Sequence, residues 1–367
     1  MIDLTLTPGE SEQLIARRTE EIMPPRRPVR GPGIQPLAVV IGGQPGAAKS
    51  TVQDRVHAAL GVDTAATYEA DDDAQAHPRF QEATRDDGLD AHGEVVQSLP
   101  ENLSQRCLDS LLTADPPYDV VTSAWLETPE RAQQTLEPFR NAGHRVVAVY
   151  VATNEADSLL AIADRYQQAK DAAGNGRWVD PRMHNAVYQR VPDAAHAVET
   201  LGYADDIYVV DRAGNVLYEN HRRADGSLER EPGAREAIVA ERNRPPTPAE
   251  QQRFVGTARA LRERGDELEP AVDDVVREAM RKQVERPAAM PSQPAPDRAP
   301  QIDGQLAELR RVTGAGVAPA GGIRPPDTAN TPPGAPQTPD GTRPSGLGSG
   351  ARRPDGGRPP AGPSVDR

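Results

Sequence analysis

Pro36-Leu-Ala-Val-Val-Ile41 runs straight into Gly42-Gly-Gln-Pro-Gly-Ala-Ala-Lys-Ser-Thr51, and the reading of this junction decides the fold. The first piece is a short, continuous apolar run, the pattern of a strand buried on both faces. The second carries what a phosphate-binding loop needs. Glycines let backbone N–H groups turn inward around phosphate oxygens, a lysine reaches the outer phosphates, and a hydroxyl can hold Mg²⁺ above a helix N-terminus. Gly43 is the first glycine, Gly46 an internal one, Lys49 the lysine and Ser50 the hydroxyl and Mg²⁺ ligand. The strict pattern G-x-x-x-x-G-K-[ST] fails once, at Ala48, which stands where the last glycine belongs. Only glycine takes positive φ freely, so Ala48 is expected to have negative φ. Val52-Gln-Asp-Arg-Val-His-Ala-Ala-Leu60 then reads as a helix with Val52, Val56 and Leu60 on one face. The loop residues Gly43, Gln44, Pro45, Gly46, Ala47, Ala48, Lys49, Ser50 and Thr51 are expected to form the nucleotide cradle.

Working outward, strands are expected at 64–71, 119–125 and 144–152, with two more around the Arg212-Ala-Gly-Asn215 turn in 205–220. Helices are expected at 91–113, 128–142, 155–172 and 182–200. Alternating strands and helices predict an α/β fold, a parallel sheet with helices on both faces. Residues 7–22 open with Thr7, Pro8 and Glu10, a helix-start signature, and Thr247-Pro-Ala-Glu250 repeats it. The second starts a charged helical region reaching Arg286, read as a solvated structural addition.

Of the 367 residues, those from Pro287 to Arg367 include 17 Pro and 13 Gly without hydrophobic periodicity. Such a stretch cannot bury enough apolar surface to offset its ordering entropy and is expected to be disordered. Residues 1–286 hold 33 basic and 48 acidic residues, a net −15, which argues against a duplex nucleic acid partner. The single Cys107 excludes an internal disulfide and a multi-cysteine zinc site. No run of 18 apolar residues occurs, so no membrane span is expected, and the N-terminal Met1-Ile-Asp-Leu-Thr-Leu lacks a secretory pattern. The expected location is cytoplasmic.

Tyr68-Glu-Ala-Asp-Asp-Asp73 ends the second expected strand, where the crevice of an open α/β sheet lies. Carboxylates there can accept a proton from a substrate hydroxyl or hold Mg²⁺. Strand alternation would point Glu69 and Asp71 to one side and Asp72 to the other. With Gly43-Gln-Pro-Gly-Ala-Ala-Lys-Ser50, Asp71, His77-Pro78, Arg165-Tyr166, Gly176-Arg177 and His184 in order, residues 4–220 resemble the zeta toxin family. The resemblance implies a P-loop kinase of a toxin–antitoxin system that uses ATP and Mg²⁺ to phosphorylate UDP-N-acetylglucosamine, a nucleotide sugar. It implies a small helical, epsilon-like antitoxin as partner. By motif, Lys49 would hold the β- and γ-phosphates, Ser50 the Mg²⁺, and Asp71 would be the base. Arg165 and Arg177 would neutralise the transferring phosphate. The organisation expected is an N-terminal helix and loop (1–35), a kinase domain (36–222), a charged helical extension (223–286) and the tail (287–367).

Two segments depart from the family pattern. Ala74 replaces an arginine after the acidic strand end, and Ser123-Ala-Trp-Leu-Glu127 replaces a segment close to E-G-T-x-R that helps hold the sugar nucleotide. These leave two alternatives beside the kinase: a nucleotide-binding regulator with little transfer, and a kinase of another small acceptor.

Overall fold

The computed structural model describes residues 2–86, 91–174, 176–287 and 300–313. The chain divides into two units, 1–320 and 321–367, and every described residue belongs to the first. The elements are α1 (Pro8–Ile22), β1 (Leu37–Gly42), α2 (Lys49–Leu60), β2 (Ala65–Tyr68), a 3-10 turn (Ala70–Ala76), α3 (Phe80–Asp86), α4 (Ala91–Ser98) and α5 (Leu103–Leu112). They continue with β3 (Asp119–Ser123), α6 (Pro129–Asn141), β4 (Arg145–Val151), α7 (Glu155–Ala173), α8 (Pro181–Leu201), β5 (Asp206–Val210) and β6 (Val216–His221). The last are α9 (Ala234–Asn243), α10 (Pro248–Arg262), α11 (Pro270–Glu285) and α12 (Ile302–Thr313).

The sheet order is β2-β3-β1-β4-β5-β6. The first five strands run parallel and β6 pairs antiparallel with β5. β1 is central, with Ile41 opposite Ser123 on one side and Val149 on the other. All six β1 residues are buried because the sheet is covered on both faces. Ala38 and Val40 face the core of α1, α5, α6 and α8, while Leu37, Val39 and Ile41 face that of α2. This is the expected α/β architecture, and it gathers the carboxyl ends of β1 to β5 along one edge.

Several details differ from expectation. The helix expected over 91–113 is two, α4 and α5, because Pro100 has no N–H to continue the first. Both predicted capping boxes form, at Thr7–Glu10 and Thr247–Glu250. The charged extension is packed rather than merely solvated. α10 and α11 bury Phe254, Leu261, Val272 and Val276 against Leu159, Leu160 and Tyr166 of α7. The tail expected to be disordered contains α12, whose Ile302 and Leu306 are fully buried in the core shared with α2. A two-residue apolar stripe was lost in the composition of the surrounding Pro/Gly-rich stretch. The rest of the tail, residues 288–299 and 314–367, lies outside the described residues.

Candidate functional site

The phosphate loop leaves the end of β1 through three residues with positive φ: Gly43 (141°), Gly46 (74°) and Ala48 (76°). The negative φ expected of Ala48 is therefore wrong. Ala48 is left-handed because it must turn the loop into α2, and the surrounding packing imposes this on a residue with a Cβ. Gly46 has no such freedom to change, since a Cβ there would collide with the Ser158 backbone. Ala48 gives α2 no side-chain cap, an arrangement that leaves the first-turn N–H groups suited to an anion. Lys49 Nζ donates to the Gly43 carbonyl at 3.0 Å and the Gln44 carbonyl at 3.3 Å, which folds its charge over the loop. Ser50 and Thr51 are exposed on the first turn of α2, and Pro45 and Ala47 are buried beneath. The residues present thus fit a nucleotide polyphosphate, with Ser50 the hydroxyl that would hold a divalent cation.

Behind the loop runs a polar network that sequence reasoning did not assign. Gln44 Nε2 donates to the Thr153 carbonyl at 3.0 Å and to Ser158 Oγ at 3.4 Å. Thr153 Oγ1 donates to the Ala47 carbonyl at 2.9 Å, and His184 Nε2 lies 2.8 Å from Ser158 Oγ. Burial holds the His184 pKa below the ordinary histidine value, so the ring is neutral near pH 7. Gln44 Oε1 accepts from Arg242 Nη2 of α9 at 2.9 Å. His184 belongs to the motif set of the resemblance, but its bond to Ser158 and the role of Arg242 join residues far apart in sequence. The repeated small polar residues at the end of β4, Thr153 and Asn154, were the one available signal.

At the neighbouring strand ends Glu69 and Asp73 take different partners. β2 stops at Tyr68 and the chain enters the 3-10 turn at Ala70, so strand alternation does not govern Asp71 to Asp73. Asp73 is buried, accepting from Arg18 Nε at 2.8 Å and Tyr68 Oη at 2.7 Å, an anchor for α1. Glu69 accepts from the Ser123 N–H at 2.8 Å and Ser123 Oγ at 2.6 Å, tying the end of β2 to the end of β3. Asp71 sits in the turn between them, and its side chain lies outside the described residues. After Ser123, the Trp125 carbonyl accepts from the Gly43 N–H at 3.2 Å, and Leu126 is buried with φ +49°. Trp125 is half-buried against the α1-side core.

Arg165 is exposed on α7, and Arg177 is half-buried just after Gly176. Gly176 packs so closely that a Cβ would strike the Tyr166 carbonyl, which holds the start of the loop carrying Arg177 against α7. On the other side of the loop, a cavity of about 350 Å³ opens beside Ala48 and Thr51. Asn154, Asp211 and Arg212 form its sheet side and Arg244 and Phe254 its helical side. Among the described residues no group of three acids, histidines or cysteines is placed to hold a metal without a ligand's help. No described helix is long and apolar enough to cross a membrane.

Residues 26–223 match the family model for Zeta toxin. The chain belongs to the zeta toxin family. Zeta toxins are toxin kinases. The matched span holds the phosphate loop, Asp71, Arg165, Arg177 and His184, and leaves α9 to α12 beyond it. Toxin PezT of Streptococcus pneumoniae serotype 4 (strain ATCC BAA-334 / TIGR4) is 23% identical over 194 residues, 51% of this chain and 72% of PezT. A structure from the characterization of the PezAT chromosomal toxin-antitoxin system of Streptococcus pneumoniae superposes with a TM-score of 0.55 at 18% identity. That match covers 77% of this chain and 100% of the other, a likeness of fold.

Proposed function

We propose that this zeta toxin family chain is an ATP-dependent kinase acting on a hydroxyl of a small acceptor, with UDP-N-acetylglucosamine the acceptor that the family favours. The observation that carries the reading is Lys49 lying over the Gly43 and Gln44 carbonyls of a left-handed loop above an uncapped helix. In this reading Lys49 holds the β- and γ-phosphates and Ser50 a Mg²⁺, which would neutralise phosphate charge. Thr51 and the cavity beside it take the nucleoside end. The acceptor hydroxyl oxygen attacks the γ-phosphorus, the bond to the bridging oxygen breaks, and ADP leaves with that electron pair. Asp71 accepts the hydroxyl proton. Arg165 and Arg177 balance charge on the three equatorial oxygens, and the loop at Gly176 serves as a lid. A cytoplasmic location goes with this substrate. The PezT relative comes from a toxin–antitoxin system, and a small helical antitoxin is the protein partner proposed here.

The test is transfer of labelled γ-phosphate from ATP, with Mg²⁺, to UDP-N-acetylglucosamine by the full chain and by Asp71→Ala and Lys49→Ala. Transfer lost in both variants, with ATP binding lost mainly in Lys49→Ala, is the expected result. Full activity in Asp71→Ala would sink the proposed base. A second reading, a nucleotide-binding regulator, is favoured by one observation: Glu69 and Ser123 satisfy each other at the strand ends where the family's acceptor segment lies. ATP binding without transfer to any acceptor of a nucleotide-sugar, nucleoside and aminoglycoside panel would select it. Transfer to a different acceptor in that panel would keep the kinase and replace its substrate.

A further inference from the structure

Arg242 lies on α9, beyond the span matched by the family, yet it reaches the phosphate loop. It is only 4% exposed. Its Nη2 donates to Gln44 Oε1 at 2.9 Å and its Nη1 to the Tyr188 carbonyl at 2.7 Å. Its guanidinium lies 4.0 Å from the centre of the Tyr188 ring. Its Nε is buried without a hydrogen-bond partner. Among the described residues, every acceptor it meets is neutral. Glu155, which acts on it at longer range, is paired with Lys282 at 2.9 Å. Burial pushes the Arg242 pKa down to about 10, still far above neutrality, so the charge is present.

A buried cation with neutral partners is costly unless an anion completes its surroundings. The hydrogen bond to Gln44 puts this cation against the second residue of a loop whose Gly43 and Gln44 carbonyls already hold Lys49. We propose that Arg242 is a positioning residue whose buried charge, coupled through Gln44, makes the phosphate loop selective for polyphosphate, so that the bound nucleotide supplies the missing counter-charge. It fixes the Gln44 side chain, and with it the loop, and adds a positive potential in a region of low dielectric. The C-terminal helices thereby take part in nucleotide affinity. Asn154 Nδ2 fastens the same point, donating to the Arg242 carbonyl at 2.7 Å. This inference deepens the nucleotide reading of the loop and rests on it.

The test uses the full chain as wild type, Lys49→Ala, Arg242→Gln, Arg242→Met and Arg242→Lys. Titration calorimetry measures MgATP and AMP, and thermal unfolding is followed with and without MgATP. Loss of the charge should weaken MgATP roughly ten-fold in Arg242→Gln and less for AMP, while Arg242→Lys recovers most of the loss. The MgATP-induced rise in unfolding temperature should shrink in Arg242→Gln and Arg242→Met, whatever their temperatures without ligand. A purely structural arginine would lower the ligand-free temperature and leave that rise, and the ATP affinity of the folded protein, unchanged; this result overturns the proposal. Equal weakening of ATP and AMP, or no recovery with lysine, also overturns it. If the wild type binds no MgATP, the nucleotide reading falls and this inference with it. If Lys49→Ala loses binding while every Arg242 variant keeps it, only this inference falls.

Discussion

Replacing Ala48 by glycine should make the ligand-free protein more stable, although it removes a methyl group from the chain. Ala48 sits at φ 76° and ψ 32°, where a Cβ crowds the following carbonyl at about 1–2 kcal/mol. Glycine removes that strain. It also gives the unfolded chain more freedom, which offsets about 0.4–1 kcal/mol. Ala48 is the N-cap of α2 without a side-chain bond, so no cap is lost, and glycine suits that position better than alanine. The net gain is about 0.5–1 kcal/mol, or about 1–3 °C in unfolding temperature for a domain of this size. Urea unfolding at constant m-value is the assay, with Ala48→Val as the opposite arm. A β-branched side chain at positive φ is a true outlier, and that variant should lose at least about 1 kcal/mol. The expected order is Gly, Ala, Val from most to least stable. A glycine variant no more stable than the wild type would refute the claim that the fold forces strain on residue 48.

Asp73→Ala should lose about 2 kcal/mol of stability, because it takes the nearest carboxylate from the half-buried Arg18 guanidinium and the acceptor from Tyr68 Oη. Asp71→Ala should unfold close to the wild type, and equal losses in the two urea curves would count against Asp73 as the anchor. A chain ending at residue 287 should be less stable than one ending at 313 by about 3–5 kcal/mol, since Ile302 and Leu306 are fully buried. Equal urea midpoints would show that α12 contributes nothing. Burial holds His77, His144 and His184 below the usual value of 6.5, so the unfolded chain takes up protons first as pH falls. The stability they give is present above pH 6.5 and is lost below it, towards their lowered folded values. His221, raised by its bond to Asp206, works the other way, stabilising below 6.5 and losing that as pH rises. Three groups against one predict a lower urea midpoint at pH 5.5 than at pH 7.5, and an equal or higher one would contradict the burial argument.

The phosphate loop could be read from sequence because its parts are consecutive. Strand, turn, lysine and helix follow one another within Leu37–Leu60, and each is dictated by local chemistry. The two capping boxes were legible for the same reason, as four-residue patterns with one solution. The supports behind the loop were not. Gln44 and Arg242 are separated by 198 positions, and nothing near Arg242 distinguishes it from the exposed arginines of the same charged region. The sign of φ at Ala48 was misread because propensity describes what alanine prefers, while the packing of Gly46 against Ser158 decides what it receives. The strand expected to reach Asp71 was read too long, because it ends at Tyr68 and a 3-10 turn has a different period from a strand.

The docking of α12 bears on the order in which the molecule is assembled. Arg310 donates to the Leu60 carbonyl across 250 positions of sequence, closing the far end of the helix that begins at the phosphate loop. β1, α2 and β2 are made early in synthesis, yet the cluster in which α2 packs on Leu37, Val39 and Ile41 is completed only when Ile302 and Leu306 emerge. Contacts of such long range form late, because the entropy of closing the intervening chain must be met first. The helix under the phosphate loop is thus finished by α12, the last described element in chain order, and amide exchange after refolding should protect α12 after the β1–α2 unit.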